Sequence, residues 1–530
     1  MPRRGWPRGR YLRSWGRVIQ RTVTTRQDDR LTRAASPVLL IGLLSGALYL
    51  VVYLAQRALF RNGLLQSFAE VTARGDPASR AWLLVQCAAY YGATAALLIL
   101  YVRLLTLCRR GRLRDGWARA LALLFPALFN LGLLLGRPYL SIDVFTYIAY
   151  GTVGANPGGN PYVQPVTAVT QVPLGAQLIA SGWRPNHIVP TVPYGPLWVQ
   201  IETAVLRLTQ DVPTATLLLK GLVVAASLGS AALIWVILGR VRPADQLLGT
   251  LIYLWNPVII VEFAAEGHND ALMILCALAA LLLTVGARPA LSLAMLALGV
   301  LAKFVPLILL PAQMAFFWHT RHTQRERARL APPLLLGLLV SLGLAALLYG
   351  PLWAGAATFN GLRAQGEPHG AASTVGALFL VLTHSPLHAA ARALTLGLLD
   401  GIFGVFVLLV SWRVRDAGGL LSASACIAAV YLLVALPVYW PWYATLPIAL
   451  LALSPRGALG WMALALTVCT RLAAPLEVID NRGFLPPGVS LFGTDVIAIA
   501  LPLLVALLLI VREWREQGGR RQGGRVAPSA

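Results

Sequence analysis

The chain has 530 residues, of which 57% are hydrophobic and 12% are charged. Its mean hydropathy of +0.68 and its repeated apolar runs of about 20 residues predict an all-α polytopic membrane protein and exclude a soluble domain. A formal net charge of +23 would suggest a nucleic-acid partner in a soluble protein. Here the arginines lie mostly in short loops between apolar runs, as the positive-inside bias places them, so the predicted partner is the lipid bilayer and not nucleic acid.

The predicted elements begin with an arginine-rich cytoplasmic arm over residues 1–35 and end with a basic cytoplasmic tail over residues 512–530. Between them, residues 36–511 form the predicted transmembrane domain, with about 14 spanning helices. Cysteines without CxxC spacing predict neither a disulfide framework nor a zinc site. The apolar segments are 36–56, 81–107, 117–136, 214–238, 246–263, 270–286, 290–302, 304–318, 332–350, 394–411, 419–437, 440–454, 458–475 and 491–511.

Basic residues indicate the orientation. With the amino terminus inside, most of the 44 lysines and arginines fall on the inner side of these segments. This asymmetry requires that the stretches 197–208 and 372–390 do not cross the membrane, so both are predicted to lie at the outer interface, and Glu202 and Arg207 support this for the first. The sequence therefore predicts a multi-pass plasma-membrane protein with cytoplasmic termini and extracytoplasmic loops over 137–213 and 351–393.

The loop over residues 137–213 is too rich in proline, glycine and asparagine to cross a bilayer. Loops of this length in compact proteins are usually functional. Its most exposed reactive group is predicted to be the carboxylate of Asp143, which lies among aromatic and aliphatic residues. Because Asp143 follows Ser141 and precedes a predicted short helix, a helix N-cap role is the alternative to a chemical role.

Ionisable residues in the apolar segments fall in the outer part of each predicted helix. Charges inside a membrane usually face a cavity or a partner, so this distribution predicts a water-accessible cavity that opens outward. For Lys220 and Asp495, snorkelling to the interface is the alternative. The residues are Lys220, Glu262, Asp270, Lys303, Asp400 and Asp495.

The stretch WNPVIIVEFAAEGHNDALM, residues 255–273, brings four polar side chains into five positions at the outer face: Glu266, His268, Asn269 and Asp270. Such a cluster can bind sugar hydroxyls, act as a base or hold a metal ion. One histidine beside acids lacks a recognisable ligand spacing, so a divalent metal is neither indicated nor excluded. The structural alternative is that Asn269 or Asp270 caps the next helix.

Lys303, in the stretch LAKFVPL, is one of two lysines in an arginine-rich chain and is predicted at an outer turn. A compact ammonium group at this position suits a phosphate. The alternative is a hinge residue that satisfies carbonyls at the end of a helix.

Several motifs together resemble one family. SIDVFTYIAYG, NPY, VPYGPLW, WNPVIIVEFAAEGHNDALM, LAKFVPLILLP and VYWPWYATLPIALLAL are similar in order and spacing to the polyprenyl-phosphate-mannose-dependent mannosyltransferases of the GT-C fold. These include the bacterial α-1,6-mannosyltransferases and their glycosyltransferase family 87 relatives. The resemblance covers residues 138–453. It implies a GT-C fold with a large first extracytoplasmic catalytic loop, a lipid-linked sugar monophosphate as donor and Asp143 as the catalytic base.

The chemistry that this resemblance implies assigns roles to other residues. Asp143 would take the proton of an acceptor hydroxyl, on a glycan or a glycolipid. The polyprenyl phosphate leaving group needs positive charge nearby, for which Lys303 is the first choice, followed by Arg363 and Arg184, with Arg137 and Arg471 as further alternatives. Single displacement predicts inversion, and no cofactor is required.

The remaining candidates would contact the sugar. Glu266, His268, Asn269 and Asp270 would orient hydroxyls or support the base, and aromatic residues such as Tyr147 and Tyr194 would offer stacking faces. A transporter or flippase for a lipid-linked saccharide is the alternative function, since it also needs an outward cavity, basic groups and broken helices. The sequence shows no internal repeat that would favour it.

Overall fold

The computed structural model describes residues 28–59, 77–113, 115–185, 189–367, 373–474, 495–509 and 512. These residues are helical without any strand, which confirms the all-α prediction. The predicted arm over 1–35 and the tail over 512–530 lie outside the described residues, apart from 28–35 and 512. The first helix begins at Asp28, and its segment that is apolar enough to cross a membrane is Pro37–Ala58.

The amino-terminal half builds the loop that carries Asp143 and the helices around it. Its helices are α1 (Asp28–Leu59), α2 (Pro77–Arg109), α3 (Gly116–Leu134), α4 (Asp143–Ala155), α5 (Pro173–Ala180), α6 (Pro196–Leu208), α7 (Val212–Val241), α8 (Gln246–Leu254), α9 (Pro257–Ile260), α10 (Asp270–Val285) and α11 (Pro289–Ala302). A π-helical turn, Val261–Ala265, follows α9, and a 3-10 turn, Val166–Gln171, precedes α5.

The second half continues with shorter helices that pack around the first. These are α12 (Leu310–His319), α13 (Gln324–Ala328), α14 (Ala331–Tyr349), α15 (Asn360–Gln365), α16 (Thr374–Thr383), α17 (Ala391–Trp412), α18 (Ala417–Val430), α19 (Thr445–Leu451) and α20 (Gly457–Ala473). A π-helical turn, Tyr431–Ala435, extends α18, and another, Asp495–Ala500, opens the last described helix.

The number of helices that can cross a membrane is smaller than predicted. Seven helices of the described residues are long and apolar enough, or eight if the bent pair 243–254 and 257–265 counts as one span. The other predicted segments coincide with apolar helices of 10–17 residues, which are short for a hydrocarbon core of about 30 Å. The polytopic membrane character is therefore supported, whereas a count of 14 spanning helices is not confirmed.

The predicted loop over 137–213 is largely helical, and α4 packs closely along α6. Gly151 and Gly154 of α4 make this approach feasible, because a Cβ at Gly151 would lie 2.7 Å from the Glu202 carbonyl oxygen and one at Gly154 would lie 2.3 Å from Thr203 Oγ1. The Glu202 side chain is completely buried. It therefore gives no support for a polar outer face of α6, contrary to the sequence-based argument.

Asn256 organises the break between α8 and α9, where the chain bends by 45°. Its side-chain oxygen accepts the Val258 N–H at 2.9 Å, and its amide nitrogen donates to Thr467 Oγ1 at 2.8 Å and to the Ile252 carbonyl at 3.2 Å. The side chain is fully buried. It thus satisfies backbone groups that the helix break leaves without helical partners.

We expect Asn256→Ala to lower the free energy of unfolding by about 1–3 kcal/mol, because it leaves several buried polar groups unpaired. The test is thermal unfolding of the purified full-length protein, with Gln171→Ala at an exposed position as the control. Equal melting temperatures for both variants would contradict this role of Asn256.

Candidate functional site

Asp143 is the first residue of α4 and does not cap it. The Ser141 hydroxyl accepts the Asp143 N–H at 3.0 Å, and the N-cap residue is Ile142, which makes no side-chain capping bond. The Asp143 carboxylate is 22% exposed and points to the turn between α9 and α10. The alternative N-cap role for Asp143 is therefore wrong, because Ser141 supplies the local hydrogen bond.

His268 lies between two carboxylates. Its Nδ1 is 3.5 Å from Asp143 Oδ2 and its Nε2 is 3.4 Å from Glu262 Oε2, and the side chain is fully buried. Burial alone would lower the pKa of His268, but hydrogen bonding to Asp143 and Glu262 and the charges of both acids raise it from 6.5 to about 9. At neutral pH the site therefore contains a buried imidazolium ion.

Glu262 is itself held by a buried arginine. Arg471 Nη1 donates to Glu262 Oε1 at 2.6 Å, and Arg471 Nη2 donates to the Tyr90 hydroxyl at 2.8 Å. Arg471 is 1% exposed. It is therefore committed to the interior and does not fit the alternative role of a phosphate ligand.

An aromatic stack covers the imidazole ring. His268 stacks on Trp442 with ring centroids 4.0 Å apart and planes 18° apart, and Trp442 stacks on Trp440 at 5.2 Å and 4°. An imidazolium on an indole face gains a cation–π attraction as well as dispersion. The stack fixes the ring that faces Asp143.

Lys303 and Asp270 form a further buried ion pair of the site. Lys303 Nζ donates to both carboxylate oxygens of Asp270, at 2.8 and 3.0 Å, and it lies 4.7 Å from the Tyr443 ring centroid and 5.9 Å from that of Tyr194. Lys303 thus pairs with a carboxylate rather than with helix-end carbonyls. Asp270 lies inside α10 at its first position, and Asn269 is the N-cap residue without a side-chain capping bond.

Tyr147 and Tyr194 form a wall beside these residues. The Tyr147 ring meets Tyr194 and Trp198 edge-on, each with centroids 5.3 Å apart. Tyr147 is 1% exposed and Tyr194 is 7% exposed. Since their faces are covered by neighbouring rings, they fit the wall of a site better than the predicted stacking platform for a sugar.

Glu266 faces the protein backbone. Its Oε2 accepts the N–H groups of Tyr139, Leu140 and Ser141 at 3.2, 2.9 and 3.0 Å. Burial and the nearby Glu262 charge raise the pKa of Glu266 to about 7, against the opposing effect of these N–H donors and of His268. The predicted contact of Glu266 with the sugar is not supported by this geometry, because the side chain already binds three donors.

Asn269 is the remaining member of the EGHND turn. Its side chain is 2% exposed, and neither amide atom has a hydrogen-bond partner within the described part of the chain. A buried amide without partners is costly in free energy. Asn269 is therefore suited to a ligand that brings both a donor and an acceptor, such as a sugar hydroxyl.

The two arginines predicted to bind phosphate lie on α15 and after α5. Arg363, on α15, is exposed and donates to the Ala356 carbonyl and to Asn360 Oδ1, both at 3.2 Å. Arg184 is half-buried after α5. Neither is among the residues that form ion pairs with Asp143 or Asp270 in the described structure.

No group of three or more histidine, cysteine, aspartate or glutamate side chains in the described ranges is arranged to hold a metal ion. The histidine and acids of the site are instead paired with one another. With one lysine and one arginine they form a single cluster: Asp143, Glu262, Glu266, His268, Asp270, Lys303 and Arg471.

A profile of known proteins matches this part of the chain. The family described as alpha-(1->6)-mannopyranosyltransferase, N-terminal domain, matches residues 38–319, which is more than half of the sequence. The chain belongs to this mannopyranosyltransferase family. The resemblance inferred from the sequence motifs is thereby confirmed.

Individual relatives share about a quarter to a third of their residues with this chain over the aligned parts. This chain is 31% identical over 153 residues to an alpha-(1->6)-mannopyranosyltransferase of Mycobacterium tuberculosis, and the match covers 28% of this chain and 24% of the relative. It is 29% identical over 184 residues to alpha-(1->6)-mannopyranosyltransferase A of Corynebacterium glutamicum, covering 34% and 35%. It is 25% identical over 346 residues to alpha-(1->6)-mannopyranosyltransferase A of Mycobacterium tuberculosis, covering 60% and 62%. The chain thus spans less than two thirds of the length of each.

Some residues of this family member's site were missed by the sequence analysis. Trp440 and Trp442 belong to the motif VYWPWYATLPIALLAL, but they received no role, and like Arg471 they lie beyond the matched residues 38–319. The available signal was a pair of tryptophans around a proline, directly after an apolar segment. Spacing alone does not reveal that Trp442 stacks on a histidine far away in the sequence.

The pKa of His268 gives a prediction for stability. The imidazolium lies in the turn before α10, and its folded pKa of about 9 exceeds the ordinary value of 6.5. Its stabilisation is therefore complete below pH 6.5 and is lost as the pH rises through 9. We expect the difference in melting temperature between the wild type and His268→Asn to shrink between pH 6.5 and pH 9.

The control for this measurement is His384→Asn, since His384 is exposed at the end of α16. Its melting temperature should follow that of the wild type at every pH. A difference between the wild type and His268→Asn that stays constant over this range would show that the imidazole is neutral when folded.

Proposed function

We propose that this protein transfers a sugar, mannose, from a polyprenyl-phosphate donor to a hydroxyl of a glycan or glycolipid, with inversion at the anomeric carbon. The observation that carries the proposal is the partly exposed Asp143 carboxylate, held 3.5 Å from the buried imidazole of His268. A single carboxylate with a fixed orientation and an open side suits a general base. Membership in the mannopyranosyltransferase family supports the choice of sugar.

Asp143 acts as the base in this proposal. The acceptor hydroxyl gives its proton to a carboxylate oxygen of Asp143 while its own oxygen forms the new bond to the anomeric carbon. The bond between that carbon and the phosphate oxygen breaks, and its electron pair leaves with the phosphate. Because one displacement inverts the centre, a β-linked donor gives an α-linked product.

His268 holds the base in place. Its imidazolium attracts the Asp143 carboxylate on one side and Glu262 on the other, while stacking on Trp442 prevents the ring from rotating away. Arg471 compensates the charge of Glu262. A buried charged group between two opposite charges keeps a fixed position, which favours rapid proton transfer.

Lys303 provides positive charge for the departing phosphate. An ammonium group has three donors, and the carboxylate oxygens of Asp270 use two of them, so one remains for a phosphate oxygen. Arg363 and Arg184 are the proposed further partners of the phosphate. Arg363 is exposed on α15 and Arg184 is half-buried after α5, so a long lipid-linked donor can reach them without entering the packed core.

Asn269 and Trp440 are the proposed contacts of the sugar. The buried amide of Asn269 lacks partners among the described residues and suits hydroxyl groups. Trp440 is half-buried and forms the end of the stack that begins at His268. An aromatic face in this position suits the apolar face of a pyranose.

We also propose that the site faces the extracytoplasmic side of the plasma membrane. Exposed tryptophans occur near arginines at helix ends opposite to the site. Tryptophan is enriched at both membrane interfaces, whereas an excess of arginines is typical of the cytoplasmic one, so the arginines support this orientation. Helices α3, α12 and α20 each carry one such tryptophan at the end remote from the Asp143 cluster. The exposed tryptophans concerned are Trp117, Trp318, Trp412 and Trp461.

Asp143→Asn is expected to reduce transfer by about 100-fold or more, because it removes the proton acceptor. The melting temperature should stay close to that of the wild type. The measurement is product formation in membranes supplied with polyprenyl-phospho-mannose and a panel of lipid-linked acceptors, followed by determination of the linkage.

The matched control is Asp400→Asn, since Asp400 is exposed on α17 and should keep full turnover. Retained turnover in Asp143→Asn would remove this residue as the base. Movement of a labelled lipid-linked sugar across the membrane without formation of a glycosidic bond would favour the transporter instead.

Removal of the Lys303 charge should weaken binding of the sugar donor rather than binding of the acceptor. Lys303→Met alone leaves Asp270 buried and unpaired, which destabilises the fold, so the informative variant also carries Asp270→Asn. We expect the donor KM of the double variant to rise about tenfold. A folded double variant with an unchanged donor KM would exclude Lys303 as a phosphate ligand.

A further inference from the structure

The short turn Glu266-Gly267-His268 contacts the chain around Asp143 at two separate points. His268 faces the side chain of Asp143. Glu266 faces the backbone that leads into it. The turn therefore controls both the direction of the carboxylate and the path of the chain that carries it.

Glu266 binds three successive N–H groups, those of Tyr139, Leu140 and Ser141. These donors precede α4 and have no helical partners of their own. A carboxylate that accepts several backbone N–H groups is held by strong, charge-assisted hydrogen bonds. Since Glu266 is 1% exposed, water does not compete for these donors.

Lys220 acts on the other end of the same segment. Its ammonium group donates to the Leu133 carbonyl at 3.0 Å and to the Gly136 carbonyl, where α3 ends. A cation at this position satisfies carbonyls that a helix terminus leaves unpaired and is favoured by the helix dipole. Lys220 is fully buried on α7, and its charge interacts with that of Glu266.

Gly267 allows both contacts to form from one turn. Its φ angle is +79°, and a Cβ there would lie 2.8 Å from Lys220 Cγ and 3.5 Å from Val144 Cγ2. A residue with a side chain would be strained by its backbone conformation and would displace the Lys220 side chain, whereas its distance to Val144 is that of an ordinary contact.

We propose that Glu266 and Lys220 are positioning residues. They place the Asp143 carboxylate for proton transfer because their hydrogen bonds hold the two ends of the segment 136–141. Lys220 binds the carbonyl groups of Leu133 and Gly136 at the start of the segment. Glu266 binds the N–H groups of residues 139–141 at its end. This inference rests on the proposed function, because it concerns the same base. A displacement of a reacting group by about 1 Å can reduce a rate about 100-fold.

The test compares Glu266→Ala and Glu266→Gln in the full-length protein. We expect Glu266→Ala to speed amide hydrogen exchange at residues 139–141 about tenfold or more, since charge-assisted hydrogen bonds are lost. Its kcat should fall about tenfold to 100-fold, with a donor KM within about twofold of the wild type.

Glu266→Gln keeps an oxygen that can face the same N–H groups, so it should recover most of the kcat and most of the exchange protection. If Glu266→Ala does not fold, Lys220→Met decides the matter. Lys220→Met keeps the side-chain stem but removes the donor to the Leu133 and Gly136 carbonyls. Lys220→Met should lower kcat as Glu266→Ala does, without raising the donor KM.

Glu202→Gln is the matched control for the loss of a buried carboxyl group. Glu202 is fully buried on α6, where it packs against Gly151. Its substitution should leave exchange at residues 139–141 unchanged. If it speeds exchange as strongly as Glu266→Ala, the effect reflects general loosening and the proposal is overturned.

Three other results would also overturn the inference: unchanged exchange in Glu266→Ala, faster exchange with an unchanged kcat, or a raised donor KM at constant kcat. The last would make Glu266 a donor contact. Absence of sugar transfer by the wild-type protein would instead overturn the proposed function. The exchange measurement would then still decide whether Glu266 holds the segment.

Discussion

The imidazolium ion of His268, buried between Asp143 and Glu262, is the interaction on which the site depends. A charge removed from water is costly unless opposite charges and hydrogen bonds compensate it. Here positive and negative groups alternate from Arg471 through Glu262 and His268 to Asp143. If one of these side chains moves, the neighbouring charge is no longer compensated. The four side chains therefore resist displacement, and the Asp143 carboxylate stays in place.

The helix breaks that shorten the membrane spans also build this row of charges. The bend at Asn256 and the π-helical turn Val261–Ala265 end one helix early, and the EGHND turn can then present its polar residues at the height of Asp143. Each break leaves backbone groups without helical partners. Asn256 satisfies such groups at the bend, and Lys220 and Glu266 do the same at the end of α3 and before α4.

The sequence was informative about which residues meet, and less so about what each one binds. Asp143, His268 and Lys303 were expected on one face because charges inside apolar segments are costly and cluster around function. Their partners depend on backbone direction within single turns. Lys303 binds Asp270 rather than a carbonyl, and Glu266 faces the backbone because Gly267 adopts a positive φ angle. Local spacing cannot specify such choices, nor the pairing of His268 with Trp442.

The balance of charge in the cluster limits where the donor can be recognised. In formal charges, the four acids Asp143, Glu262, Glu266 and Asp270 are matched by His268, Arg471, Lys220 and Lys303 within the described structure. A phosphate that enters this neutral set brings negative charge that the cluster does not already compensate. Additional positive charge must then come from groups outside it, and Arg184 and Arg363 are the proposed sources. The packed cluster is thus suited to position the reacting carboxylate, whereas recognition of the lipid phosphate is proposed to involve these two arginines.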